Sequence, residues 1–308
     1  MPAISPAAQG KYLLVVLGPT AVGKTALAIK LAHYFGTEIV SADSRQFFKE
    51  LKIGTAIPLA TELEMVAHHF IGNLTIQDSY NVSRFETEAL AVIDRILSKK
   101  NVAILVGGSG LYINAVCQGI DEMPDADAPL RAQLNADFEQ FGIEPLREKL
   151  KLLDPLYYSK TDMANHKRII RALEVCLATG RPYSSFMTHQ AKARNFIPIK
   201  IGIKREREEL NARINRRVDL MIEQGLVAEA HQFLPLRHLN SLQTVGYREL
   251  FSYFDGKYTL DEAIDKIKVN SRRYAKKQMT WFAREKEINW FDAAETNKII
   301  DWVKTQLL

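Results

Sequence analysis

Only two cysteines occur in 308 residues, Cys117 and Cys176, and neither has a thiol or histidine neighbour at metal-ligand spacing. That argues against a disulfide framework and a zinc site and suits a reducing compartment, so we expect a cytoplasmic protein. Long apolar runs are also missing. The run Tyr12 to Leu17 is far shorter than the ~20 residues that span a bilayer, and Met1 to Gly10 carries no basic n-region. Neither a membrane span nor an export signal is expected. Internal repeats and low-complexity tracts are absent. Charge of one sign is in small excess, 41 Lys and Arg against 36 Asp and Glu for a net +5, so a polyanionic partner is credible only if the positive charge is clustered. His68 and His69 are adjacent, which turns their side chains apart on strand or helix, and no metal pair is expected there.

What is present is an alternation of strand and helix patterns. Tyr12 to Leu17 is an unbroken apolar run ending at Gly18 and Pro19, the pattern of a strand covered on both faces. Leu27, Ala28, Leu31, Ala32 and Phe35 follow at helical spacing, and Glu38 to Ser41 returns to strand character. Helix is predicted over Arg84 to Lys99, strand over Val102 to Val106, and a further helix from Leu111. This predicts an α/β fold with a parallel sheet flanked by helices over 11–119 and 197–308. Between them, 120–196 shows helical periodicity without a convincing strand and is predicted to be an all-helical insertion. Pro198 to Ile203 resumes strand character. Two long helices are predicted after it, Glu206 to Glu223, stopped by Gly225, and Leu260 to Glu287, opened by a Thr259 and Glu262 capping box.

The residues Gly18, Pro19, Thr20, Ala21, Val22, Gly23, Lys24 and Thr25 fit G-x-x-x-x-G-K-[ST] between a buried strand and an amphipathic helix. In that setting backbone N–H groups and the helix N-terminus cradle phosphate oxygens, Lys24 neutralises them, and the Thr25 hydroxyl can ligate Mg²⁺. An acid closing the later strand, the usual aid to nucleotide hydrolysis, is missing after Val106, where Gly107 and Gly108 stand. Asp43 instead follows the second strand, where open α/β sheets bind ligands, as either a base, a metal-site acid or a cap of the next turn.

Positive charge is clustered. Lys266 to Lys286 holds eight basic residues against Glu285 alone. Lys266, Arg273, Lys277 and Arg284 form a stripe, with Ile267, Tyr274, Ala275 and Phe282 facing inward, and polyanion contact is expected. Arg213 and Arg217, one turn apart, either reach a phosphate site or pair with Glu209 or Glu223. Lys167, Arg168 and Arg171 form a smaller basic edge in the insertion, and Trp281 and Trp290 are expected to be core or edge anchors.

Taken together, these motifs resemble one family. Gly18 to Thr25, Ser41 to Gln46, Ile53 to Thr55, Gly107 to Tyr112, Arg168 to Glu174 with Thr179 and Gly180, Gln243 to Glu249, and Tyr274 to Phe282 are similar, in order, to the bacterial tRNA dimethylallyltransferases, also called tRNA isopentenyltransferases. The resemblance implies a P-loop NTPase-like core and transfer of a dimethylallyl group from its diphosphate to N6 of adenosine 37, beside the anticodon of tRNAs reading codons that begin with U. It implies Asp43 as the base, with Thr20 and Arg217 steadying the leaving diphosphate. Lys24 and Thr25 would hold that diphosphate with Mg²⁺. Around tRNA it implies Asp43, Ser44, Arg45, Gln46, Ser109, Arg131, Arg168, Ile169, Ile170, Arg171, Ala172, Gln243, Gly246 and Arg248, to which the basic stripe adds Arg273, Lys276 and Lys277. The expected partners are a tRNA anticodon stem-loop and dimethylallyl diphosphate, the expected state a monomer. Ser109 stands where the family often has Thr, the stretch Met163 to His166 departs from its usual spacer, and the C-terminal zinc finger of eukaryotic relatives is absent. An enzyme prenylating AMP, a small-molecule kinase and an RNA-binding NTPase switch are the alternatives, separable by assay with AMP, ATP and stem-loop RNA.

Overall fold

The computed structural model describes residues 10–125, 127–188 and 190–307. Its strands are β1 (Tyr12–Leu17), β2 (Ile39–Ser41), β3 (His68–His69), β4 (Val102–Gly107), β5 (Ile197–Lys204) and β6 (Asn289–Asp292). All pair in parallel in the order β3-β2-β4-β1-β5-β6. Helices α1 (Lys24–Phe35), α2 (Ala60–Met65), α3 (Val82–Leu97) and α4 (Gly110–Gln118) alternate with the first strands. Then come α5 (Ala128–Phe141), α6 (Glu144–Leu153), α7 (Pro155–Lys160) and α8 (His166–Thr179). After β5 the chain forms α9 (Arg207–Glu223), α10 (Leu226–Gln232), α11 (Tyr247–Phe254), α12 (Leu260–Phe282) and α13 (Thr296–Gln306).

The unbroken apolar run of β1 has a direct cause. Leu13, Val15 and Leu17 point into one core and Leu14 and Val16 into the other, so both faces are covered. The first core receives Phe85 and Ile93 of α3, Val116 of α4 and Ile267 and Phe282 of α12. The second receives Leu27, Ala28 and Leu31 of α1 and Ile299 and Val303 of α13. The doubly covered parallel sheet predicted from sequence is therefore present, in a unit made of 1–118 and 193–308.

Residues Gly119–Lys192 form a second compact unit. Its core is Leu134, Leu146, Leu150, Ile169, Ile170, Ala172 and Leu173, supplied by α5, α6 and α8. Asp127, Asp154 and Asn165 cap α5, α7 and α8 through their side chains, which explains where those helices start. The sequence pattern extended this segment to 196. Ala193 onward belongs with the sheet because Arg194 pairs with buried Glu86 at 2.7 Å and Phe196 enters the first core.

The short strands β3 and β6 and the end of α12 are among the differences from the sequence expectation. β6 escapes a periodicity search because only Phe291 of its four residues is buried. α12 ends at Phe282, not Glu287, and the chain then turns to lay β6 beside β5. Trp290, expected as an anchor, lies on β6 over Gly202 of β5, where an added Cβ would sit 2.6 Å from the indole and 2.5 Å from Ile288. We predict that Gly202→Ala destabilises the protein by about 1–3 kcal/mol through overpacking, measured by urea unfolding. A loss below about 0.5 kcal/mol would show that the β5–β6 contact yields easily.

Candidate active site

A cleft of about 780 Å³ opens at the carboxyl ends of β1, β2 and β4 and is lined by Thr20, Lys24, Thr25, Asp43, Arg217, Tyr274 and Gln278, among others. One wall is the loop Gly18 to Thr25. Gly18 has φ +152° and would carry a Cβ 2.5 Å from the Ile203 carbonyl oxygen, so no side chain fits. Ala21 adopts φ +62° and Gly23 φ +112°, left-handed turns that bring the chain round to the first residues of α1. The loop carbonyls are bound by one cation of the loop and two from elsewhere in the chain. Lys24 Nζ donates to Pro19 O at 2.7 Å, Arg213 Nε to Ala21 O at 2.9 Å and Arg205 Nε to Val22 O at 3.0 Å. With those acceptors turned away, the amide-rich start of α1 faces the cleft and suits an anion.

Thr20 is held twice. Its N–H donates to Gln278 Oε1 at 2.9 Å, and its Oγ1 accepts from Arg217 Nη1 at 3.3 Å. Gln278 in turn donates through Nε2 to Gly108 O at 2.9 Å, and a Cβ on Gly108 would lie 2.2 Å from that nitrogen. The buried amide of α12 thus clamps the loop to the end of β4. Arg213 and Arg217 both reach the loop, which settles their placement, while Glu209 pairs with Arg205.

Asp43 faces this wall from the end of β2. Its Oδ1 accepts the Arg45 N–H at 3.0 Å, so the turn-capping geometry is real and fixes the carboxylate. Burial lowers the Lys24 ammonium to about 8, Asp43 opposing that shift and Arg217 adding to it. Burial also lowers Arg217, again opposed by Asp43. Burial and then the Asp43 charge push the Tyr274 phenol up to about 12, so it remains a donor at neutral pH. A carboxylate, two cations and a phenol therefore share one cavity.

The neighbouring motifs brace the cleft. Ser109 Oγ accepts the Ser44 N–H at 3.2 Å and donates to Ser44 Oγ at 3.3 Å. Arg45 donates to Asn240 O at 2.8 Å, and Gln46 Nε2 to Ala56 O at 3.0 Å, so these two polar side chains hold loops. Gln243 donates to Arg237 O at 2.6 Å, and Gly246, at φ +101°, donates its N–H to Glu249 Oε2 at 2.8 Å. Tyr247 hydrogen bonds Glu229, whose carboxylate also accepts the N–H groups of Lys52, Ile53 and Gly54. Glu229 and Gln278 were not singled out from sequence. Gln278 had a signal, an uncharged polar residue between Ala275 and Phe282 on the buried stripe of a basic helix.

The basic helix divides. Lys268 pairs with Asp219 at 2.6 Å and Arg272 bonds Asn215, tying α12 to α9. Lys266, Arg273, Lys276, Lys277 and Arg284 stay exposed. Lys266, Arg273 and Lys277 line a second cavity of about 500 Å³ with Arg248 and Tyr274, both of which also line the cleft. Tyr274 corrects the sequence expectation. It is 43% exposed rather than inward, because it faces these cavities, whereas Ile267, Ala275 and Phe282 are buried as expected.

In the insertion, Arg168 is exposed on α8. Arg131 and Arg171 both bind the buried Glu174. Ile169, Ile170 and Ala172 are a correction to the expectation that Arg168 to Ala172 form one RNA-facing stretch. They are at most 4% exposed and pack in the core of the unit, so their side chains present no surface to RNA.

Among the described residues no helix is long and apolar enough to cross a membrane. The family model for IPP transferase matches residues 46–285. A tRNA dimethylallyltransferase of Christiangramia forsetii is 50% identical over 300 residues, covering 97% of this chain and 99% of that protein. Another, from Flavobacterium johnsoniae, is 50% identical over 304 residues, covering 96% and 98%. Among solved structures, the tRNA isopentenylpyrophosphate transferase of Bacillus halodurans aligns with a TM-score of 0.71 at 37% identity over 96% of this chain and 97% of its own. A eukaryotic dimethylallyltransferase acting on tRNA aligns with a TM-score of 0.78 at 25% identity, over 96% of this chain and 80% of its own. With a P-loop NTPase-like sheet, its phosphate loop and these near full-length matches, the chain belongs to the IPP transferase family.

Proposed function

We propose that this chain transfers the dimethylallyl group of dimethylallyl diphosphate to N6 of adenosine 37 in tRNAs reading codons that begin with U, and that it does so in the cytoplasm as a monomer. The observation that carries the reading is the meeting of Asp43, Lys24 and Arg217 at the phosphate loop in one cleft. The names of the relatives, tRNA dimethylallyltransferases and a dimethylallyltransferase acting on tRNA, support the substrate pair.

An adenine N6 amine is a weak nucleophile because its lone pair is shared with the ring. Transfer therefore needs a base for its proton and stabilisation of the departing diphosphate. The N6 nitrogen forms a bond to the allylic carbon, the bond from that carbon to the diphosphate oxygen breaks, and Asp43 takes the N6 proton. The electron pair leaves with the diphosphate. Thr20, fixed by Gln278 and Arg217, and Lys24 line the cleft and would stabilise that charge. Among the described residues no cluster of three or more His, Cys, Asp or Glu makes a metal cage. The Thr25 hydroxyl, in the cleft at the start of α1, would hold a Mg²⁺ that enters with the diphosphate, and the ion would supply charge neutralisation. The target base must leave its stack, at a cost of a few kcal/mol, and RNA contacts offset that cost. Arg248, Arg273 and Lys277 beside the cleft provide such contacts.

Incubation with dimethylallyl diphosphate and an anticodon stem-loop should give one dimethylallyl group on adenosine 37 by mass spectrometry. Product with AMP alone, or ATP turnover without transfer, overturns the reading. Asp43→Ala should lower turnover by roughly 10²- to 10⁴-fold with little loss of RNA affinity. Near wild-type turnover would remove Asp43 from the chemistry. Replacing Arg273 and Lys277 by Ala should weaken RNA binding and flatten its salt dependence by roughly 0.7–0.9 for each phosphate that the variant no longer neutralises, as measured by titration at several salt concentrations. For Lys24 the sign is set by its depressed value. The ammonium is charged below about 8 and neutral above, so affinity for dimethylallyl thiodiphosphate should fall as pH rises past that point, by up to ~10-fold per unit. Lys24→Met should bind weakly with no inflection, and calorimetry from neutral to alkaline pH checks both.

A further inference from the structure

The insertion contains a charged group that the chemistry above leaves unused. Glu174, on the buried side of α8, has no solvent exposure. One of its oxygens, Oε2, accepts from Arg131 Nε at 3.2 Å and from Arg131 Nη2, and also from Arg171 Nη1 at 3.0 Å. Its other oxygen, Oε1, is buried without a hydrogen-bond partner among the described residues. Arg131 comes from α5 and Arg171 from α8, and their side chains stay 43% and 28% exposed. Arg171 Nη2 is further fixed by the Pro124 carbonyl at 2.7 Å.

A fully buried carboxylate with one oxygen unsatisfied is costly to keep. Apolar residues of similar size in place of buried ion clusters are often neutral or stabilising. Two guanidinium groups sharing one oxygen repel each other and would swing apart without it. The shared anion holds them side by side, each with N–H groups left over, a fork that matches a phosphate. Ordering such long side chains in advance removes an entropic cost that RNA binding otherwise bears.

We infer that Glu174 is a positioning residue that presets Arg131 and Arg171 as a paired site for a backbone phosphate of the tRNA substrate. This rests on the tRNA reading of the function. It separates cleanly from a plain charge effect, because removing a negative charge makes the insertion more positive and on electrostatics alone strengthens RNA binding.

The test compares Glu174→Gln, Glu174→Met and the double variant Arg131→Ala/Arg171→Ala in the full chain, with an anticodon stem-loop and dimethylallyl diphosphate. For both Glu174 variants we expect KM for RNA to rise about tenfold, kcat and KM for dimethylallyl diphosphate to stay within about twofold, and thermal stability to be unchanged or higher. RNA KM unchanged or lowered in a folded Glu174 variant, while the double arginine variant binds RNA poorly, overturns the inference and leaves the tRNA reading standing. An arginine variant with unaltered RNA KM removes the insertion edge from the RNA surface and the inference with it. Unfolding of both Glu174 variants assigns Glu174 to the core and also overturns it.

Discussion

A loop can hold an anion with its amides only if its carbonyls are turned away and satisfied elsewhere, and that constraint organises the sheet unit. Pro19, Ala21 and Val22 give their carbonyls to Lys24, Arg213 and Arg205, while Gly18 presses against Ile203 of β5 with no room for a Cβ. The loop lies near residue 20 of the chain, yet apart from Lys24 its supports come from β5, from Arg205 just after it, and from α9 and α12. A binding site that reads as local in sequence is thus completed only when the last third of the chain folds back onto it. The insertion leaves after α4 and returns before β5, so it interrupts none of these supports.

The clamp at Thr20 extends the same logic. Gln278 satisfies an amide of the phosphate loop and a carbonyl beyond β4 with one side chain, on a helix whose exposed face is basic. The amide that clamps the phosphate loop and the exposed basic face therefore belong to one element, α12. A buried amide suits this position better than a charge would. It pairs with one donor and one acceptor at once and adds nothing to the electrostatics that Lys24, Arg217 and Asp43 set between them.

Much of this was legible in advance where a single local rule decided the outcome. The run Tyr12 to Leu17, the glycine spacing of the phosphate loop and the capping box at Thr259 each specify their own structure, and each element formed where its pattern lay. Legibility ended where partners distant in sequence decide. β6 carries one buried residue and exists because Gly202 leaves a seat for Trp290. Glu229 is an unremarkable helical acid until three N–H groups of the chain near residue 53 converge on it. Ile169, Ile170 and Ala172 share a motif with Arg168 and Arg171, but helical periodicity puts the first three in the core and leaves the arginines outside.

The arrangement of charge also suits the two anions of the proposed reaction. Half-buried cations bind a diphosphate strongly because water is excluded around them, but the same burial drives a lysine toward its neutral form, as at Lys24. Asp43 counters that shift for both Lys24 and Arg217. The carboxylate that suits a base thus also keeps the phosphate cradle charged before substrate arrives. In the proposed reaction an entering diphosphate would take over that support with its own charge. On the outer face Lys276, Lys277 and Arg273 are exposed, a basic surface that suits the RNA partner of the proposed function.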